Sequence, residues 1–191
     1  MKYCTECAAP LRLTVPEGED RQRHVCTACG TIHYENPKIV TGTLPVHQGR
    51  VLLCRRAIEP RRGLWTAPAG FMENAETVQQ GALRETREEA NARVRIEALH
   101  AVYNLPHISQ VYMLFRATLL DLDFHPGPES LEVRLFDEAG IPWGDIAFPV
   151  IAEALKAYFE DLRAGHFRLH MGDIERLPGP GRRYRIVHSA A

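Results

Sequence analysis

Apolar positions alternate with polar ones in several short stretches and fall at helical spacing in others, so the chain mixes strands with helices. Residues 39–46 predict a strand, His47-Gln48-Gly49 a hairpin turn, and residues 51–55 its partner. A loop rich in Pro, Arg and Gly follows over residues 59–68 and holds Trp65. From 76 to 90 there is no proline, and Val78, Ala82, Leu83, Thr86 and Ala90 recur on or beside one face of a helix. Asn74 is the expected cap at its start, Glu76 suits the positive end of its dipole, and Asn91 is expected to close it in the left-handed conformation. Further strands are expected at 94–103, 111–120 and 131–136, a second helix at 148–164, and a partly loose tail from Leu177.

Ahead of these elements, residues 11–15 and 21–25 read as two short strands joined by a turn over 16–20. They separate two cysteine pairs, Cys4 with Cys7 and Cys26 with Cys29, each with the two-residue gap that turns both sulfurs to one point. Residues 1–34 are therefore expected to form a zinc ribbon with a structural tetrathiolate Zn2+, since so short a segment needs a metal in place of a core. Two disulfides are the alternative. Cys54, in an apolar run, reads as a small buried hydrophobe.

Composition narrows the classes further. The 191 residues are 45% hydrophobic, with 23 basic against 24 acidic side chains and a formal net charge of −1. Apolar runs fall short of the roughly 20 residues that span a bilayer, which argues against a membrane protein. The start lacks a secretory or transit pattern, so a cytoplasmic location is expected. Near-neutral charge supplies no general field for nucleic acid.

The candidate chemistry lies on the first helix. Glu85, Glu88 and Glu89 stand at i, i+3 and i+4, crowding three carboxylates within one turn near its C-terminal end. Such like-charged pairs repel by about 0.2–0.5 kcal/mol each, and each anion there opposes the helix dipole by about 0.3–1 kcal/mol. The arrangement makes sense if those oxygens hold hard divalent cations, Mg2+ or Mn2+. Taken alone, three glutamates are more simply a solvated acidic face.

Their surroundings favour the cation reading. Gly70, five residues, Glu76, seven residues and Arg84-Glu85-Thr86-Arg87-Glu88-Glu89 resemble the Nudix box, with Asn91 in place of its closing glycine and Thr86 and Ala92 in place of stronger aliphatics. The resemblance implies an α/β fold, the Nudix α/β/α sandwich with a mixed sheet, over about residues 38–160. Expected boundaries are a zinc ribbon at 1–34, the Nudix domain at 35–165 and a C-terminal extension at 166–191. It implies metal-dependent hydrolysis of a nucleoside diphosphate linked to another moiety, a nucleotide-type small molecule. Glu85, Glu88 and Glu89 would hold the cations, and one of them, or a carboxylate elsewhere, would take a proton from water. Arg84 would fix a glutamate rotamer. Gly70 would permit a tight bend beside the Ala69 carbonyl, a further possible metal ligand, and Gly81 implies close packing on the helix. Glu129 or Glu132, in and after a Pro-Gly-Pro loop, would supply a further carboxylate.

A ribbon before a Nudix domain is also seen in NADH pyrophosphatases, but their Ser-Gln-Pro-Trp-Pro-Phe-Pro signature is missing here. Asn36-Pro37-Lys38, Gly63-Leu64-Trp65-Thr66, Gln110-Val111-Tyr112, Pro126-Gly127-Pro128-Glu129-Ser130-Leu131-Glu132 and Gly172-Asp173-Ile174 resemble the plant plastid FAD and ADP-ribose pyrophosphatases. That resemblance implies FAD, split to FMN and AMP, with ADP-ribose second. NADH and oxidised nucleoside triphosphates are alternatives. Trp65, Phe71, Tyr103 and Tyr112 are the candidate substrate-stacking aromatics, each more simply a core residue. The histidines, His107 and His125 among them, read as surface or loop residues. A rival of another class is a nucleic-acid-binding ribbon using Arg12, Arg21 and Arg23, or Arg182, Arg183 and Arg185 in the tail, with a Nudix scaffold; mixed charge and few interleaved aromatics speak against it. A homodimer is expected by analogy only.

Overall fold

The computed structural model describes residues 1–179 and 183–188, so Arg182 lies outside the described residues. Contacts divide the chain into two units, Met1–Pro37 and Lys38–Ala191.

In the first unit β1 (Leu11–Thr14), β2 (Arg23–Cys26) and β3 (Ile32–His33) form an antiparallel sheet, the third strand being too short for the alternation to reveal. The expected basic face is partly neutralised. Arg23 Nε lies 2.8 Å from a Glu19 carboxylate oxygen, and Arg21 Nε lies 3.8 Å from one of Asp20.

In the second unit β4 (Lys38–His47) and β5 (Arg50–Arg56) meet at a tight turn whose Gln48 and Gly49 have φ of 49° and 76°, as a two-residue hairpin of this hand requires. Then come β6 (Trp65–Thr66), β7 (Ala69–Phe71), α1 (Val78–Ala90), β8 (Val94–Leu105), β9 (Gln110–Leu119), β10 (Ser130–Phe136), α2 (Pro149–Ala164), β11 (His170–Arg176) and β12 (Tyr184–His188). Among the described residues these nine strands make one mixed sheet, in the order β10-β5-β4-β9-β8-β11-β12, with β6 on β5 and β7 on β4. β4 runs parallel to β9, and β8 to β11.

The helices cover opposite faces. Along β5, Leu53 joins the cluster under α2 that holds Ile151, Leu155 and Phe159, whereas its neighbours Leu52 and Cys54 join Ala90 and Ala92 at α1. Successive strand side chains point to opposite faces, so this alternation yields the α/β/α sandwich. Cys54 is 1% exposed, a small buried hydrophobe as its apolar run implies. Within the tail from Leu177, expected to be partly loose, Tyr184–His188 forms β12, which pairs with β11. Among the described residues no helix is long and apolar enough to cross a membrane.

Candidate active site and thiolate cluster

Helix α1 starts at Val78, two residues later than expected. Thr77, not Asn74, is the cap: its hydroxyl accepts from the Gln80 N–H while the Gln80 side chain accepts from the Thr77 N–H. The T-x-x-Q spacing of such a box was present in the sequence. Glu76 therefore stands outside the helix and serves Arg84 instead of the dipole. At the far end Asn91 takes φ of 48°, the left-handed closure expected of it.

The polar inner face of α1 is stitched to β4. Thr41 Oγ1 donates to the Val78 carbonyl at 2.8 Å, and the Thr86 hydroxyl lies 2.6 Å from that of Thr43 and 2.7 Å from the Ala82 carbonyl. Thr86, buried in that seam, is thus satisfied. Leu83, expected on the covered face, is 39% exposed. A β-carbon at Gly81 would lie 2.7 Å from Thr41 Cγ2 and from a Glu76 carboxylate oxygen, so the helix needs glycine there. Gly70 plays a different part from the bend expected of it. It lies within β7, and a β-carbon there would collide with the Glu85 carboxylate.

Arg84 organises the acidic turn. Its guanidinium donates to both Glu76 carboxylate oxygens at 2.8 and 3.0 Å, to Glu85 at 2.7 Å, to Glu88 at 3.0 Å and to the Phe71 carbonyl at 3.1 Å. The Arg84 fork, with a backbone N–H from Glu73, holds the Glu76 carboxyl down at about 2. Burial pushes Glu85 up, against the pull of Arg84. Glu89 is 6% exposed, and burial together with the negative charge of Glu85 raises its carboxyl to about 8. Its Oε2 is buried without a hydrogen-bond partner among the described residues. Glu88 remains largely in solvent.

A loop closes over the C-terminal end of α1. His125 N–H donates to the Ala90 carbonyl and Gly127 N–H to the Glu89 carbonyl, each at 3.0 Å, while Asn91 Nδ2 donates to the carbonyls of His125 and Pro126. These donors satisfy carbonyls that end a helix without partners. The same loop brings Glu129 to the acidic group, where its charge pushes up both Glu85 and Glu89. Glu132 points elsewhere, within 3.9 Å of Arg55 and Arg134.

The acidic turn faces a cavity of about 1190 Å3, lined by Glu85, Glu88, Glu89 and Glu129 and by Ala69, Gly70, Phe71 and Tyr112. Two of the proposed stacking aromatics lie outside its lining. Trp65 is buried on β6, edge to face with Phe136 at 4.9 Å between ring centres, and Tyr103 is buried on β8 and lines a separate 200 Å3 pocket. Trp65 was expected in a loop; its pairing with β5 draws it into the core. His107 lines the large cavity, and His100 and His170 are buried in the body of the protein, so the histidines are not uniformly surface groups. Sequence patterning missed Arg56, Ile174, Arg176 and Tyr184, which join the cavity from strands distant in the chain.

In the first unit all four paired cysteines are free thiols. The Sγ atoms of Cys4 and Cys29, Cys7 and Cys26, and Cys7 and Cys29 lie 3.8, 3.4 and 3.5 Å apart. A tetrahedron of Zn–S bonds of about 2.3 Å has edges of about 3.8 Å, so the cluster is of zinc-binding size. Donation from the Thr31 hydroxyl and backbone lowers Cys29 to about 6, favouring thiolate. His33 Nε2 lies 3.4 Å from Cys4 Sγ, a neighbour the cysteine spacing did not indicate.

Comparison with known proteins places these features. Residues 37–153 match the NUDIX domain model, and residues 2–35 match the zinc-ribbon model described as Nudix N-terminal. A crystal structure of a NUDIX hydrolase from Nitrosomonas europaea is 60% identical, covering 92% of this chain and 100% of that one with a TM-score of 0.89. Among curated relatives, the NAD-capped RNA hydrolase NudC of Chromobacterium violaceum is 35% identical over 49% of this chain and 34% of its own length. The ADP-ribose pyrophosphatase of Methanocaldococcus jannaschii is 25% identical over 57% of this chain and 67% of that protein. The matched stretches thus span from a third to two thirds of those relatives.

Proposed function

The chain belongs to the NUDIX family, and on that footing we propose that it hydrolyses the pyrophosphate bond of a nucleoside diphosphate joined to a second moiety, FAD (to FMN and AMP) or ADP-ribose. The observation that carries this reading is the convergence of Glu85, Glu88, Glu89 and Glu129 on one end of a cavity large enough for a dinucleotide. The names of relatives that act on NAD-capped RNA or ADP-ribose agree with an adenylate-containing diphosphate, and they support NADH as a second reading.

Glu85, Glu88 and Glu89, with Glu129 and the Ala69 carbonyl, would hold Mg2+ or Mn2+. The unpartnered Oε2 of Glu89 fits that role, because a buried carboxylate oxygen with no donor is costly unless a cation satisfies it. Bound there, the cations would neutralise charge on the diphosphate and lower the pKa of water. Arg84 is a positioning residue that fixes the rotamers of Glu85 and Glu88. Arg56, Arg61 and Arg87 line the same cavity and make no ion pair among the described residues, leaving their charge for the phosphates. Water adds to one phosphorus as a P–O anhydride bond breaks, and a carboxylate of the acidic group takes the water's proton. Cys4, Cys7, Cys26 and Cys29 would hold a structural Zn2+, and reduced thiols suit the cytoplasm.

Incubation with Mg2+ or Mn2+ and FAD, ADP-ribose, NADH or an oxidised dGTP, with products identified by mass, tests the assignment. We expect Glu85→Gln and Glu88→Gln each to lower turnover at least a hundredfold. Full hydrolysis in either variant would overturn it.

A further inference from the structure

The cavity reaches well beyond the acidic turn. Gly70, against which Glu85 packs, lies on β7 beside β4, and from β4 it is four strand steps to β12, which carries Tyr184. At about 4.8 Å per strand step that separation is roughly 19 Å. The remote end is built differently. Leu105 at the end of β8, Ile108 in the β8–β9 connection, Phe148 and Val150 at the start of α2, and Ile174 on β11 make an apolar wall. His107 and Tyr184 stand on that wall with ring centres 5.8 Å apart and planes tilted by 46°. Arg176 is the register partner of Tyr184, so both side chains leave the β11–β12 hairpin on one face. It is exposed and makes no ion pair or hydrogen bond among the described residues. The hairpin lies beyond the segment 37–153 that matches the family model.

We propose that this hairpin is the base-reading end of the site: Tyr184 and His107 stack on the planar heterocycle of one nucleotide half, and Arg176 donates to acceptors on its edge. The inference deepens the dinucleotide reading and rests on it for the identity of the parent substrate. A sugar would need partners for its hydroxyls, which this apolar wall does not offer, whereas a heterocycle gains from ring faces and a cationic donor. The spacing of the two rings leaves no slot between them, so they act as one wall and not as a clamp. The heterocycle can be adenine or the flavin of FAD, two sources that a binding experiment separates.

AMP and FMN are titrated separately into the full-length wild type, Tyr184→Phe and Tyr184→Ala, using calorimetry for AMP and flavin fluorescence for FMN. We expect Tyr184→Ala to weaken one mononucleotide about tenfold and the other less than twofold, with Tyr184→Phe within twofold of wild type for both. KM for the parent dinucleotide should rise in step while kcat holds. The mononucleotide that responds identifies the ring at this end. If Tyr184→Ala does not fold, His107→Leu, on an exposed position of a separate connection, is expected to show the same split. Wild type binding neither mononucleotide, unchanged binding of both in the variant, or equal weakening of both would overturn the proposal. A Tyr184-dependent split without hydrolysis of any dinucleotide would instead overturn the proposed reaction and leave this binding end standing.

Discussion

Glu89 concentrates the electrostatic cost of the acidic turn in one side chain. Its carboxyl is raised to about 8, by burial first and by the charge of Glu85 next. In the metal-free protein the folded state therefore holds that proton more tightly than the unfolded chain, whose carboxyl has its ordinary value near 4.3. The associated stability is complete at low pH, and it is lost as pH rises from that ordinary value through about 8. Burial of Glu85 acts in the same direction. Thermal melts of the metal-free protein between pH 5 and about 8.5 should show the wild type losing stability and Glu89→Gln, neutral throughout, losing less. Parallel curves would mean that Glu89 is ionised at all these values. The clustering of Glu85, Glu88 and Glu89 was legible from helical spacing at i, i+3 and i+4, and their reading as a site came from the surrounding motif. Their unequal burial was not legible: it depends on where β7 and the loop at 125–129 settle, which is information distant in the chain.

At the scale of elements, the acidic helix end is held by its connection as much as by its own residues. Asn91 takes φ of 48° and reaches the carbonyls of His125 and Pro126, fastening to the helix the loop that carries Glu129. Glycine would keep the left-handed closure and lose those hydrogen bonds; alanine would lose the bonds and add strain of about 1–2 kcal/mol. Denaturant midpoints should rank wild type first, Asn91→Gly second and Asn91→Ala lowest. An alanine variant as stable as the glycine variant would show that the closure carries no strain. The closure itself was visible from asparagine's tolerance of this conformation, and both helices and most strands follow from period and turn residues. Two features escaped such local reasoning. Thr77 is the cap where Asn74, three residues earlier, is expected, although T-x-x-Q stands in the sequence. Trp65, surrounded by Pro, Arg and Gly, was expected in a loop, and its burial arises from pairing with β5, a contact that no local pattern encodes.

Across the whole chain, the two units differ in what holds them together. Residues from Lys38 onward fold around two apolar clusters on either side of the sheet. In Met1–Pro37 the buried apolar side chains among the described residues are Val25 and the cysteines Cys4 and Cys26. So little buried area leaves a 37-residue segment far short of the chain entropy it must overcome, and a tetrathiolate metal is the physical remedy its sulfurs provide. Removing one thiolate should then unfold the ribbon and spare the core that positions the carboxylates. Cys26→Ser is expected to carry about one zinc fewer per chain and to be clipped by a low dose of protease within residues 1–37. The fragment beginning near Lys38 should resist, and intact Cys26→Ser should keep dinucleotide hydrolysis within about threefold of wild type. Mass analysis of the fragments, zinc measured by absorption spectroscopy and turnover before digestion provide the check. Zinc loss accompanied by lost turnover, with Mn2+ still bound to the second unit, would show that the ribbon helps to shape the catalytic cavity and is more than an independently stabilised unit.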